Sequence, residues 1–436
     1  MIHYERSGLV HEVLQLASLS DGSIIATGAF RKGMFSFDEA TTSTEEFEAF
    51  YVARIASGGE VQWLKSFAST GCIGDCDRVF DLSVDEADNI YLGGYFNQKL
   101  SLDGITLEGG GNAEAFYAVL TADGTVLSAQ EFPGPINQYT EEIAVAEGGL
   151  IIAGAYDGDF DFAGQSAPSA PEGQWNSFIG KFGGDEKIQW ALFGDSAGKT
   201  SITAIAAAAD GSVVIGGNFG VGLTLGGIEL DALGQSDGFF AKISSDGEVV
   251  WLRRIGTLGD FQYVFDLKID ADNNIWVSGA CSSVIEVLPV SIVCGKNSGY
   301  VLKAEPEQGV GLWGVAFNGP PSDIGISANH ISITPAGRGL VLGRYAGFVE
   351  IGDDMHNSNG ASDVYIAELS SDGDVLWSQS IGGNNAEVIV EFSSDLVALG
   401  DHAFALAGVF YGSVGLGDFP TDFADQTHNV FLHASY

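Results

Sequence analysis

A glycine closing a short run of β-branched or small residues returns every 60 to 66 residues along the whole chain. It is Gly28 in IATGAF, Gly94 in YLGGYF, Gly154 in IIAGAY, Gly217 in VIGGNF, Gly279 in WVSGAC, Gly343 in VLGRY and Gly408 in FALAGVF. A second phrase keeps the same time. SSDGEVVW ends at Trp251 and SSDGDVLW at Trp377, with worn copies ending at Trp63 and Trp313 and a further beat at Trp190. TADGTVLS puts Ser128 where the tryptophan should stand. A fixed period of this length means an array of one supersecondary unit, and this decides the fold before any single residue does. The seven beats use all 436 residues, so 1–436 reads as a single domain.

Within a beat the pattern is that of strands. ITAIAAAA, then Asp210-Gly211, then SVVIGGNF gives one hairpin, and GFFAKIS, Asp246-Gly247, EVVWLRRI gives another. Asp-Gly between β-rich runs predicts a two-residue type I′ turn, which needs positive φ at both positions. Asp88-Asn89 and Asp272-Asn273-Asn274 stand in for it elsewhere, since Asn also tolerates the left-handed region. The stretch between the two hairpins is glycine-rich and reads as a long connection. No 3.6-residue periodicity is sustained, so helix is not expected. Seven four-stranded antiparallel units in one chain predict an all-β, seven-bladed β-propeller, which escapes the usual size limit because each blade buries its faces on its neighbours. The last beat stops at NVFLHASY, a third strand, while MIHYERSGL precedes the first beat. Residues near 2–7 are therefore expected to supply the outer strand of the blade formed by 393–436.

ADNIYLGGYF (87–96), ADNNIWVSG (271–279), DGFFAKISSDGEVVW (237–251) and SDVYIAELSSDGDVLW (362–377) carry a further likeness. This pattern resembles the bacterial seven-bladed β-propeller repeat family over essentially the whole chain. The third and seventh beats depart from it at their first turns, Gly148-Gly149 and Asp401-His402. The resemblance implies a module of a secreted or surface protein and no particular activity.

Net charge is −40, from 58 acids against 18 bases, yet charged residues are only 17% of the chain. Such a surface repels phosphate backbones and anionic headgroups, which argues against nucleic acid and against membrane binding. It favours a protein partner that is basic or bridged by calcium, with a glycan as the alternative. No apolar run is long enough to span a membrane, and the first twenty residues lack the charge-then-apolar order of a signal peptide. Four cysteines fall in two local pairs, Cys72 with Cys76 and Cys281 with Cys294. Local disulfides are expected, and with them an extracellular or cell-surface location.

Chemistry is sparse. No catalytic residue, metal site or cofactor is expected: there is no nucleophile elbow and no phosphate loop. YDGDFDF and IGDDMHNSN resemble fragments of calcium loops, but the full ligand spacing is missing. Asp157, Asp159 and Asp161 alternate along a possible strand and are candidate binding residues. Trp175 joins them, because it alone of the seven tryptophans falls in a long connection. Asp81 and Asp266 share a place in VFDL, in the strand expected nearest the axis, which is the basis of a minor alternative, an enzyme centred on the channel; the other beats show no acid there. The long connections between second and third strands, 157–177 and 281–294 among them, mark the expected binding face.

Overall fold

The computed structural model describes residues 2–4, 11–37, 40–71, 77–110, 112–146, 149–171, 173–196, 198–320, 325–359, 362–382, 394–410, 414–416, 419–421 and 429–435. Among the described residues every regular element is a β-strand, and no helix is long and apolar enough to cross a membrane.

The Asp-Gly pairs do sit in tight hairpins, but the turn differs from the one expected. Gly22 donates to the Leu19 carbonyl at 3.0 Å and Leu19 to that of Ser23 at 2.8 Å. Ser20 and Asp21 are thus the central residues, and Gly22 alone takes a positive φ, 79°. This is a type I turn followed by one left-handed residue, a loop one residue longer than type I′. Asp21 contributes through its carboxylate instead, accepting from the Ser23 amide at 2.9 Å. Asp88 (φ 61°) and Asn273 (φ 64°) occupy the left-handed place in their own hairpins.

The chain divides into two compact units. The first comprises Met1–Ala191, Glu391–Phe410 and Gln426–Tyr436. It holds a meander of His11–Ser18, Ile24–Phe37, Ala40–Ile55 and Val61–Phe67, then one of Asp77–Val84, Ile90–Phe96, Glu114–Leu120 and Val126–Phe132. A third follows with Gln138–Ala146, Gly149–Tyr156 and Asn176–Gly183. The last meander, Ser394–Gly400, Ala403–Phe410 and Asn429–Ser435, takes its fourth strand from the N-terminus. There Ile2 pairs with Leu432, His3 with Phe431 and Tyr4 with Val430, as the interrupted final beat predicted. Residues 5–7, expected to extend that strand, lie outside the described residues.

The second unit comprises Leu192–Val390 and Tyr411–Asp425. Its meanders are Thr200–Ala207, Val213–Phe219, Gly234–Ile243 with Val249–Ile255; Gly259–Ile269, Ile275–Cys281, Ser298–Ala304 with Gly311–Phe317; and Ser327–Ile333, Gly339–Tyr345, Asp363–Leu369 with Val375–Ile381.

Third strands such as Glu114–Leu120 and Ser298–Ala304 are buried at every residue. A strand covered on both faces reads as a continuous apolar run, and AFYAVL, after Glu114, is one. Within the first unit a core lies between successive meanders: Phe50 and Val52 of the first pack with Phe116 and Leu120 of the second.

The glycine-rich connections are not loops. Lys99–Leu102 pairs with Ile105–Glu108, Gly222–Leu225 with Ile228–Asp231, Val284–Val287 with Val290–Val293, and Phe348–Ile351 with Asp354–Asn357. Each ribbon buries one face, for example Leu100, Leu102 and Leu107, or Ile285, Val287 and Ile292. Cys281 and Cys294 flank the third of these ribbons and are disulfide-bonded, Cα to Cα 6.0 Å. Cys72 and Cys76 lie outside the described residues.

Two recurrent contacts tie meander to meander. Trp63 donates its indole N–H to the Ala122 carbonyl at 3.0 Å, and Trp313 does the same to Ser371 at 2.9 Å. Each ring covers the glycine of the neighbouring hairpin, Gly124 or Gly373. The second contact is made by acids in first strands. Asp81 accepts from Leu82 and from Ile143, both at 2.8 Å. Asp266 accepts from Leu267 (2.7 Å) and Ile331 (2.9 Å), and Asp395 from Leu396 and Leu16 (both 2.7 Å).

Candidate binding site

Trp175 immediately precedes the third strand Asn176–Gly183, Tyr139 is the second residue of its first strand, and Tyr95 is the penultimate residue of Ile90–Phe96. These positions all lie at the strand ends that carry the second-to-third connections. The fold therefore gathers there a cluster that no local sequence motif announces. The Trp175 ring lies 5.3 Å from that of Tyr139, tilted by 31°. Tyr139 meets Tyr95 edge-on at 5.0 Å, and Phe80 lies 5.4 Å from Tyr95. Tyr95 is buried, while Phe80, Tyr139 and Trp175 each keep part of their surface in solvent.

Glu141 follows two residues on. The pairing of Gln138–Ala146 with Gly149–Tyr156 slips between Thr140 and Glu142, leaving Glu141 as the bulged residue. In the equivalent strand of the second unit the same two places are Tyr263 and Phe265. Their rings stack at 5.9 Å and 15°, so both positions project to one side of the strand. Glu141 Oε2 is enclosed and has no hydrogen-bond partner. Burial pushes its carboxyl from the ordinary 4.5 up to about 7. Sequence reasoning missed this residue because no local motif marks the bulge that leaves it without an opposite partner. Its signal, a charged residue where sister strands carry Phe80 and Phe265, becomes visible only once the repeats are aligned at the bulge.

The candidate acids do not converge. Asp157 accepts from the Asn137 amide at 2.9 Å and so fixes the approach to Tyr139. Asp161 caps the turn at Gly164 at 2.6 Å. Asp159 is exposed. The alternation expected of all three is confined to Asp161–Phe162, where strand structure begins. The connection is also better anchored than a loop: Gln165–Ser166 pairs with it, and the Pro168 carbonyl accepts from the Tyr156 hydroxyl at 2.8 Å.

The register shared by Asp81 and Asp266 corrects another expectation. Glu142, opposite Ala153, and Asp395, opposite Ala407, occupy it as well. The last beat's unusual first turn hid Asp395. With both oxygens of Asp81, Asp266 and Asp395 accepting backbone amides, these three act as fasteners between strands. His356 Nε2 lies 2.7 Å from Ser378 Oγ. The carboxylate of Asp354, however, accepts from that same serine at 3.0 Å. In a hydrolytic triad the acid would sit on the imidazole. No group of three or more potential metal ligands occurs among the described residues.

A cleft of about 470 Å³ opens in the second unit beside Asp210, Lys242, Asp272 and Glu307. It lies at the Asp-Gly ends of the strands, opposite in sense to the expected face. Lys242 Nζ is 3.9 Å from Asp210 there.

No family profile matches the chain, and no curated protein does. Among solved structures it is similar to a Dyadobacter fermentans protein of unknown function, at 9% identity and a TM-score of 0.43, over 100% of this chain and 97% of that one. It is also similar to a Lactobacillus plantarum protein, at 12% identity and a TM-score of 0.42, over 98% and 100%. A puromycin hydrolase gives 12% identity and 0.43, over 97% of this chain and 53% of its own. Likeness at these levels assigns neither activity nor ligand.

Proposed function

We propose that the meanders are the blades of a seven-bladed β-propeller closed by Ile2–Tyr4, of the kind its motifs resemble. It acts as a non-catalytic scaffold outside the cell or at its surface, binding a basic protein through the face of the second-to-third connections. The carrying observation is the aromatic cluster of Phe80, Tyr95, Tyr139 and Trp175 at those strand ends. The repeat tryptophans and first-strand aspartates are engaged in holding meanders together, whereas Phe80, Tyr139 and Trp175 leave surface open to a partner. The Cys281–Cys294 disulfide fits an oxidising compartment.

A glycan reading draws support from a second feature, the near-parallel rings of Phe261, Tyr263 and Phe265, with Phe261 39% exposed. One experiment separates the two. The immobilised protein is offered a glycan array and, in parallel, the source's surface proteins at rising ionic strength. Retention of a basic protein that is lost as salt rises supports the scaffold. Salt-insensitive binding of one sugar class, with no protein retained, overturns it in favour of the glycan.

A further inference from the structure

Among the described residues the other buried acids each have a partner, though Asp363, which accepts from the Asn359 amide through Oδ2, leaves its Oδ1 without one. Asp237 accepts from the Leu233 and Gly234 amides at 2.7 and 3.2 Å, and Asp266 from two amides as described. Asp270 is the most informative. Its Oδ2 lies 2.9 Å from Lys303 Nζ and 3.0 Å from the Trp276 indole N–H. The same ammonium sits 4.7 Å over the Trp276 ring. One carboxylate and one aromatic face thus hold an organic cation that the chain itself provides.

The end of the third meander has two parts of that arrangement. Tyr139 and Trp175 offer partly open rings. Glu141 offers an enclosed carboxylate oxygen, and the stacking of Tyr263 on Phe265 at the equivalent places assigns it to the same side of the strand as Tyr139. We propose that Tyr139, Trp175 and Glu141 form a site for one organic cation, the ammonium or guanidinium group of a side chain on a basic partner. An enclosed charge without a partner is costly, and supplying a cation from outside removes that cost. The negative faces of the two rings attract the same group. At the equivalent bulge the second meander has Phe80 and the fifth Phe265, neither carrying a carboxylate, and the fourth has Thr203, already bonded to the Val264 carbonyl at 2.8 Å. The ionisation of the two acids follows their partners. Burial raises both, but at Asp270 the hydrogen bonds from Lys303, Trp276 and the Asn274 amide, with the charge of Lys303, together outweigh it and bring the carboxyl below its ordinary value. At Glu141 burial acts alone.

The inference rests on the binding face proposed above, and small probes allow it to stand or fall separately. n-Butylammonium and n-butylguanidinium are titrated into the full chain, followed by NMR of ¹³C-carboxyl-labelled glutamate, with n-butanol as the uncharged control. Both cations are expected to bind and to move one glutamate signal that is missing in Glu141→Gln. That variant should bind at least about tenfold more weakly, equivalent to roughly 1.4 kcal/mol. Trp175→Leu should bind about three- to tenfold more weakly, the scale of one cation–π contact. Near-UV circular dichroism checks that both variants keep native packing. Unchanged affinity in Glu141→Gln overturns the proposal, as does butanol binding as well as the cations, or no cation binding at all. If the cations bind at Glu141 and no basic protein is ever retained, the site stands and the scaffold reading falls.

Discussion

Glu141 and Asp266 are both acids on first strands, and they differ in what meets the carboxylate. Asp266 answers the amides of Leu267 and Ile331. Replacing it with alanine strands two enclosed donors at about 1–3 kcal/mol each. Asp266→Ala should therefore unfold at lower denaturant by a few kcal/mol, measured by urea titration; a loss under 0.5 kcal/mol would deny the fastening role. Glu141 has the opposite sign. Its folded-state carboxyl titrates at about 7 against an ordinary 4.5, so the folded protein holds the proton more tightly. That stabilisation is fully present below about 4.5 and is lost as pH rises through about 7. Glu141→Gln removes the loss. Wild type and variant should diverge between pH 5 and 8, the variant ending more stable by on the order of 2 kcal/mol. Asp77, which burial also raises to about 7, titrates in both proteins and cancels in the comparison. Parallel stability curves would mean that Glu141 is ordinarily solvated.

At the scale of elements, the N-terminal strand carries the clearest expectation. Ile2–Tyr4 covers the edge of Asn429–Ser435, and an uncovered edge both loses pairing and invites association. Deleting residues 1–9 should cost several kcal/mol and promote aggregation, followed by thermal unfolding and light scattering. An unaltered transition would mean the pairing contributes nothing. This pairing was legible in the sequence because the last beat stops a strand short, and a repeat leaves its missing piece conspicuous. The hairpins were legible through Asp-Gly, but their turn type was not. A loop of three residues needs only one left-handed position, and the dipeptide does not reveal which residue takes it. The ribbons were there to be read in KLSLDGITLE and GLTLGGIELD, whose alternation flanks Asp103-Gly104 and Gly226-Gly227. Their glycine content disguised them as loops. The aromatic cluster was barely legible: Trp175 stood out, while Phe80, Tyr95 and Tyr139 occupy ordinary strand positions and meet only through pairing of distant segments.

For the whole molecule, a charge of −40 sets the terms on which anything binds. Long-range attraction speeds the approach of a basic partner and weakens with salt, while the contacts at the docking point decide where it settles. An acidic surface alone would bind basic proteins indifferently on either face. The central claim is that the second-to-third-strand face is chosen, and paired single-residue variants test it without changing the fold. Trp175→Ala removes the ring against Tyr139. Asp372→Lys alters the charge on an exposed Asp-Gly turn at the opposite strand ends, where Gly373 keeps its left-handed conformation (φ 91°). Affinity for the retained basic partner, measured by titration calorimetry at fixed ionic strength, should fall at least about tenfold in Trp175→Ala, a loss of roughly 1.4 kcal/mol, and change less than about twofold in Asp372→Lys. Full affinity in Trp175→Ala together with loss in Asp372→Lys would contradict the account and place recognition on the other face.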